Sequence, residues 1–468
     1  MQPSPVRRRL LAVGAALTLA LGLTGAAPAA AAGGRADGSG PLPGYTIVNP
    51  PLPPLVVNGA ATTVRQGVHA NAGYIIEIPR RWNGELVMWA HGYRGQGTEL
   101  SPEPPGFDLR QRLVAQGYAW ASSSYDRNGY DVRSGVRGTR ALADLFSRTV
   151  RRPHRVFVAG VSMGGHVIGR SLEQYPGFYA GALPMCGVLG DQELFDFFLD
   201  YNLAAQALAG VRAYPTPPDY LTSAVPRIQV TLGLAGLTPG GPDTTNDLGK
   251  QLRAVTVDRS GGPRPGTDAA FAIWKDFLFG IAVSEADGSP ARRPGQLATN
   301  LFTRYTPNQP VNLNATVRRV APENLRQRLS PGLTEVPRIA GRPTAPVLSL
   351  HGLGDLFVPL GMEQAYARDV ARNGRSRLLV QRAVRTAQHC EFSPAEAGAA
   401  WDDLVRWVRT GKRPAGDPVT DRRAVAAPDF GCRFSDEAAR AAGAGTRPLY
   451  PPCPAGAQSS ARVYQPPR

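Results

Sequence analysis

Apolar and polar positions change period several times along this chain, and the changes mark out its elements. Three runs, at about 62–68, 74–79 and 85–91, carry strand patterns separated by the turns "NAG" and "RRWNG". From there strand and helix patterns alternate. A helical pattern at 107–117 precedes "YAWASSS", a second at 132–148 precedes "RVFVAGV", and a third after Ser162 precedes "AGALPMC". Short apolar runs without alternation are strands covered on both faces. Their alternation with helices predicts an α/β domain, a mostly parallel sheet flanked by helices.

The rhythm stops near Gly190 and resumes at "APVLSLHGLGD", followed by a helix (360–373), a strand (377–384) and the helix "PAEAGAAWDDLVRWVRTG". Between them, residues 191–340 hold helical pieces such as "ELFDFFLDYNLAAQALAG" and "FAIWKDFLFGIAV", separated by the Pro/Gly-rich loops "YPTPPDY", "TPGGPDT" and "SGGPRPG". An insertion of about 150 residues is too long for a structureless loop and is read as a folded, mainly helical cap. The α/β domain then comprises 62–190 and 341–412. An extended Pro/Gly-rich lead-in, 33–61, precedes it, and an irregular tail, 413–468, follows.

The first residues put a basic cluster (Arg7, Arg8, Arg9) before an apolar run from Leu10, then small residues with A-x-A steps up to Ala32. That order is the signature of a cleaved secretory signal, residues 1–32, and predicts a secreted protein. The run is short and broken by Gly and Thr, whereas a bilayer span needs about 20 apolar residues. No stable membrane insertion is expected.

Composition alters this picture in two places. The net charge of +16 is carried almost wholly by arginine, lysine occurring only at Lys250, Lys275 and Lys412. The arginines are scattered, without the basic stripe or interleaved aromatics of a nucleic-acid face, so no nucleic-acid partner is expected. The four cysteines, Cys186, Cys390, Cys432 and Cys453, read as two disulfides in an exported chain, with three pairings open. None has C-x-x-C spacing, which argues against a zinc site. Neither a metal nor an organic cofactor is expected.

Chemistry concentrates at "VAGVSMGGHV", residues 158–167. Ser162 lies between a buried-strand pattern and a helical one, the strand–turn–helix setting of a nucleophile elbow. Gly160 and Gly164 leave room where the chain reverses sharply. A serine hydroxyl needs a base to take its proton and a third group to orient that base. In this architecture they follow in the order Ser, acid, His. His166 lies on the elbow helix itself and His351 ends a strand. His389, in "RTAQHCEF", follows the last strand and is assigned as the base. Asp355, in "SLHGLGDLFVPL", is the acid, with Asp191 its rival. Backbone N–H groups of Met163 and Tyr93, the latter in "WAHGYRGQG", are the expected oxyanion donors. His91 is read as structural, and Asp126 and Asn128 as residues able to face the pocket. Cys186 and Cys390 both fall at the carboxyl edge of the sheet. A bond between them would tether the histidine loop, leaving Cys432 and Cys453 to close the tail.

Residues 62–410 resemble a secreted α/β-hydrolase of actinobacterial type, on the stretches "WAHGYRG", "GVSMGG", "LHGLGD" and "HCEF". The Tyr/Met oxyanion pair and "GVSMGG" are similar to bacterial cutinases and polyester hydrolases. The "HC" pair resembles the tannase and feruloyl-esterase group, in which the cysteine beside the histidine bonds one beside the serine. Val161 occupies that serine-side place here, and Cys186 is the substitute partner. The resemblance implies a serine esterase or lipase-like enzyme cleaving carboxylic esters, small or polymeric, through an acyl-enzyme. The alternatives are a secreted serine peptidase, prolyl-oligopeptidase-like or tripeptidyl-aminopeptidase-like, and a non-catalytic binding protein of the same fold.

Overall fold

A computed structural model describes residues 40–282 and 297–457; the signal read at 1–32 lies outside them. Eight strands build one sheet: β1 (Thr63–His69), β2 (Ala72–Ile78), β3 (Glu85–Ala90), β4 (Ala119–Ser123), β5 (Arg155–Val161), β6 (Gly181–Met185), β7 (Val347–Gly352) and β8 (Leu379–Val384). Their spatial order is β1-β2-β4-β3-β5-β6-β7-β8. β2 is antiparallel to both of its neighbours, and every other pairing is parallel. This is the α/β-hydrolase fold.

Among the described residues, nine longer helices accompany the sheet: α1 (Leu109–Ala115), α2 (Val132–Thr149), α3 (Met163–Gln174), α4 (Glu193–Leu208), α5 (Ala224–Thr231), α6 (Asp247–Arg259), α7 (Thr267–Gly280), α8 (Gly361–Arg372) and α9 (Pro394–Thr410). Successive strand residues serve opposite faces. On β3, Leu86 and Met88 join a core with Val136, Leu142, Val167 and Ile168 of α2 and α3. Val87 and Trp89 join another with Leu113 of α1 and Trp401 and Leu404 of α9. Both faces being covered explains why these strands read as unbroken apolar runs.

Local chemistry sets the helix ends. α9 starts with Pro394 after a capping box, in which Ser393 and Glu396 each bond the other's backbone N–H, and it stops at Gly411 with φ 71°. Removing the buried Trp401 ring should cost about 3–5 kcal/mol.

Helices α4 to α7 lie in the chain between β6 and β7, and their apolar sides enter the same core as α2 and α3, through Phe197, Leu203, Phe271 and Leu278. After Leu297 the segment continues as loops with two short helical turns, Leu313–Thr316 and Leu325–Leu329. The tail covers the β8 edge: Asp417 N–H donates to Gln381 O at 2.7 Å, and the Asp417 carboxylate accepts from Ala383 N–H at 2.8 Å. The lead-in lies along the β1–β2 hairpin, Asn49 donating to Tyr74 O at 3.0 Å. Among the described residues, no helix is long and apolar enough to cross a membrane.

Candidate active site

The serine turn is shaped by what cannot fit around it. Ser162 has φ 56° and ψ −124°, a backbone region costly for a residue with a Cβ and typical of functional turns. Its neighbours hold it there. Ser162 N–H donates to Met185 O at 3.1 Å, and Ser162 O accepts from Gly165 N–H at 2.8 Å and Val188 N–H at 3.1 Å. A Cβ at Gly160 or Gly164 would collide with the Ala90 carbonyl, and one at Gly165 with the backbone of Gly187. The elbow therefore packs backbone against backbone at the ends of β3, β5 and β6.

The loop after β3 passes over the serine. A Cβ at Gly92 would lie 2.9 Å from Ser162 Cβ and 3.5 Å from its Oγ, so glycine alone permits the approach. Tyr93 is the next residue of this loop, and Met163 is the first residue of α3. The first N–H groups of a helix have no intrahelical partner and point toward an incoming anion. His91 stacks on Tyr125 at 3.8 Å between centroids, and its Nδ1 lies 2.7 Å from Gly92 O. Burial lowers its pKa to about 4, so it is a neutral spacer at ordinary pH.

His389 and Asp355 come from the turns after β8 and β7. His389 Nδ1 lies 2.6 Å from Asp355 Oδ2. Asp355 is fully buried, and its other oxygen accepts from Phe357 N–H and Val358 N–H, both at 2.9 Å. A carboxylate accepting at Nδ1 fixes the proton there and leaves Nε2 as the basic atom. That Nε2 is buried and has no hydrogen-bond partner within the described residues, so Ser162 Oγ is not bonded to it in this structure. The Phe357 ring packs on the imidazole at 4.9 Å and touches Phe277 of α7 at 4.6 Å.

Two grips hold the histidine loop. Cys186, one residue past β6, is bonded to Cys390, and Cys432 to Cys453. A ring nitrogen of His389 and the sulfurs of Cys186 and Cys390 all lie within 4.8 Å of one another. The sulfurs are joined to each other, so they offer no thiolates to a cation. Because Ser162 N–H bonds Met185 O, a few covalent and hydrogen bonds link the serine turn to the histidine. The second grip comes from the tail, and nothing in the sequence pattern announces it. Thr446 N–H donates to Glu391 at 2.7 Å, Thr446 Oγ1 accepts from Ala387 N–H at 2.7 Å, and Arg447 pairs with Glu396 at 2.7 Å.

The remaining candidates serve structure. The Asp191 carboxylate accepts from Ile339 N–H at 2.7 Å and from Gln192 N–H, and burial raises its pKa to about 7. Tyr130 O–H donates to His166 Nδ1 at 3.0 Å, while His166 Nε2 donates to Pro337 O at 2.6 Å. Asp126 accepts from Ser134, and Asn128 donates to Gly97 O and Glu99 O at 2.7 and 2.8 Å, tying the loop together.

No family model matches the chain. An o-phthalyl amidase of Xanthobacter agilis is 21% identical to it over 418 residues, 76% of this chain and 89% of the relative. Among solved structures, an esterase from Aspergillus oryzae is similar at a TM-score of 0.40 and 15% identity, over 76% of this chain and 81% of its own. An acylaminoacyl peptidase of Pyrococcus horikoshii is similar at 0.38 and 12%, over 78% of this chain and 45% of that one. The fold described above rests on strand order, not on these superpositions.

Proposed function

We propose that this protein is a secreted serine hydrolase that cleaves carboxylic esters. Ser162 Oγ attacks the acyl carbon while His389 Nε2 takes its proton, and Asp355 keeps the imidazole oriented and stabilises its charged form. Tyr93 and Met163 N–H groups receive the oxyanion as the tetrahedral centre forms. His389 then protonates the departing alcohol, and water admitted to the same base hydrolyses the acyl-enzyme. The single observation that carries the reading is the Asp355–His389 hydrogen bond, which leaves a basic, unpartnered Nε2 on a loop bridged to the strand beside the strained Ser162 turn.

The insertion is the cap of this reading. Trp274 and Phe277 of α7 and Phe198 of α4 stand against Phe357, which itself covers His389. Such a wall suits the acyl part of an aryl, alkyl or hydroxyalkanoate ester. The two disulfides favour an oxidising compartment.

Amide cleavage is the second reading, favoured by the similarity to the Xanthobacter amidase. It uses the same three residues on a poorer leaving group. Ser162→Ala should lower p-nitrophenyl ester turnover about 10³-fold or more without moving the melting temperature; unchanged turnover rejects the hydrolase. A panel of aryl esters beside the matching anilides, run on the same preparation, separates esterase from amidase.

A further inference from the structure

Arg264 lies in "SGGPRPG", the loop between α6 and α7, yet its side chain is buried and only 6% of the residue is exposed. Its Nε donates to Leu353 O at 2.6 Å, Nη1 to Gly262 O at 2.8 Å and Nη2 to Ser260 Oγ at 3.1 Å. None of these acceptors is charged, and no carboxylate of the described residues forms an ion pair with it. A buried cation without a contacting anion is costly, so its retention needs a compensating field. Burial lowers the guanidinium pKa, and the two groups that oppose this are Tyr450 and Asp355.

The opposite end of the same turn is held in a matching way. His351, at the end of β7, donates from Nε2 to Val358 O at 2.7 Å. Its Nδ1 faces Glu363 of α8 at 3.2 Å, both side chains being 1% exposed. Burial opposes the charge on His351, but Glu363 and then Asp355 outweigh it and raise its pKa. The Asp355 turn, from Leu353 to Val358, is thus gripped by a buried side chain at each end, Arg264 at Leu353 O and His351 at Val358 O. The charged and titratable groups around Asp355 are His389 from the β8 loop, His351 from β7 with Glu363 behind it, Arg264 from the insertion and Tyr450 from the tail.

We propose that Arg264 is a positioning residue of the triad, holding the Asp355 turn through Leu353 O and placing its charge behind the Asp355–His389 pair, so that the insertion takes part in the chemistry. The proposal rests on the triad reading above. Arg264 touches neither substrate nor the reacting atoms; it acts through Asp355.

The test uses the full chain, with p-nitrophenyl acetate followed from pH 4.5 to 8.5 for wild type, Arg264→Gln, Arg264→Lys and Ser162→Ala. Arg264→Gln removes a positive charge near the Asp355–His389 pair, so protonation of the pair becomes easier. The acidic limb of kcat/KM is expected to move to higher pH by about 0.5. On the plateau kcat is expected to fall about tenfold or more with KM within about twofold, as for a misplaced catalytic group. Arg264→Lys keeps the charge but not the three-way grip, and should restore the wild-type limb with kcat still reduced. A wild-type kcat and limb in Arg264→Gln overturn the proposal. If Arg264→Gln does not fold, by thermal melting and fluorophosphonate labelling, Arg264→Lys decides: full wild-type kcat overturns positioning, and a displaced limb overturns the role of charge. Turnover that survives in Ser162→Ala instead removes the hydrolase reading itself.

Discussion

His389 Nδ1 and Asp355 Oδ2 stand 2.6 Å apart across 34 residues of sequence, brought together because the parallel strands β7 and β8 end side by side. An asparagine at 355 keeps the shape of the side chain but can present its amide N–H to Nδ1. The proton would then sit on Nε2, where it blocks the base. Asp355→Asn should lower kcat about 10⁴-fold near neutral pH while the protein stays folded. The Ser162→Ala/Asp355→Asn double variant should be no slower than Ser162→Ala alone. Steady-state kinetics beside a thermal melt checks both, and additive losses would remove Asp355 from the unit.

Gly164 tests the elbow without touching a titrating group. Its added methyl would meet the carbonyl of Ala90, a backbone atom unable to swing aside. Either β3 or the start of α3 must move, and with it the crossing of Gly92 over Ser162. Gly164→Ala should destabilise by about 1–3 kcal/mol, the usual scale of overpacking, and lower kcat by more than that loss of folded fraction explains. Urea unfolding and active-site titration with a fluorophosphonate separate the two effects.

Strands β3 to β8 were legible because they are buried on both faces, and the half-exposed β1 because an Asn-containing turn divides it from β2. Ser162, Asp355 and His389 were legible as residues just past the carboxyl ends of β5, β7 and β8. The choice between Asp191 and Asp355 was not decidable by spacing; it is the pairing of β7 with β8 that sets Asp355 beside the histidine loop. Asp126 and Asn128 look identical in sequence whether they face a pocket or tie a loop, and here they bond Ser134, Gly97 and Glu99. Arg264 was hidden for a different reason. In a loop of Gly and Pro an arginine reads as solvated, and only packing between segments some 90 residues apart buries it against Leu353. The Thr446–Arg447 grip on Glu391 and Glu396 is equally tertiary.

The two disulfides should differ in what their loss does. Cys186–Cys390 spans 204 residues and Cys432–Cys453 spans 21. In the chain-entropy picture these loops correspond to about 5 and about 3 kcal/mol. The larger one also adjoins His389, so Cys186→Ala/Cys390→Ala should reduce kcat at temperatures where the variant remains folded. Cys432→Ala/Cys453→Ala should mainly lower the melting temperature. Equal kcat in the first double variant and wild type would mean that the tail grip alone positions the base.

His166 supplies a pH test of stability. Burial lowers its pKa from 6.5 to about 4. Between those values the unfolded chain binds a proton that the folded one refuses, so stability is complete above about pH 6.5 and is lost as pH falls toward 4. His91 acts in the same direction. Asp191, raised to about 7, and Asp417, raised to about 6, act oppositely, because their folded forms hold protons that the unfolded chain releases. The bare pH curve mixes these effects, whereas the difference between wild type and His166→Gln isolates one. Glutamine offers the same acceptor to Tyr130 and the same donor to Pro337 O without titrating. At pH 7 wild type should be more stable by about 1–2 kcal/mol, the cost of imperfectly replacing a buried, hydrogen-bonded ring. That gap should narrow by up to about 2 kcal/mol on going to pH 5, since each pH step in the window removes about 1.4 kcal/mol from wild type alone. Urea unfolding at half-unit pH intervals measures it, and a gap that stays constant from pH 7 to 4.5 would mean that His166 takes up its proton without unfolding.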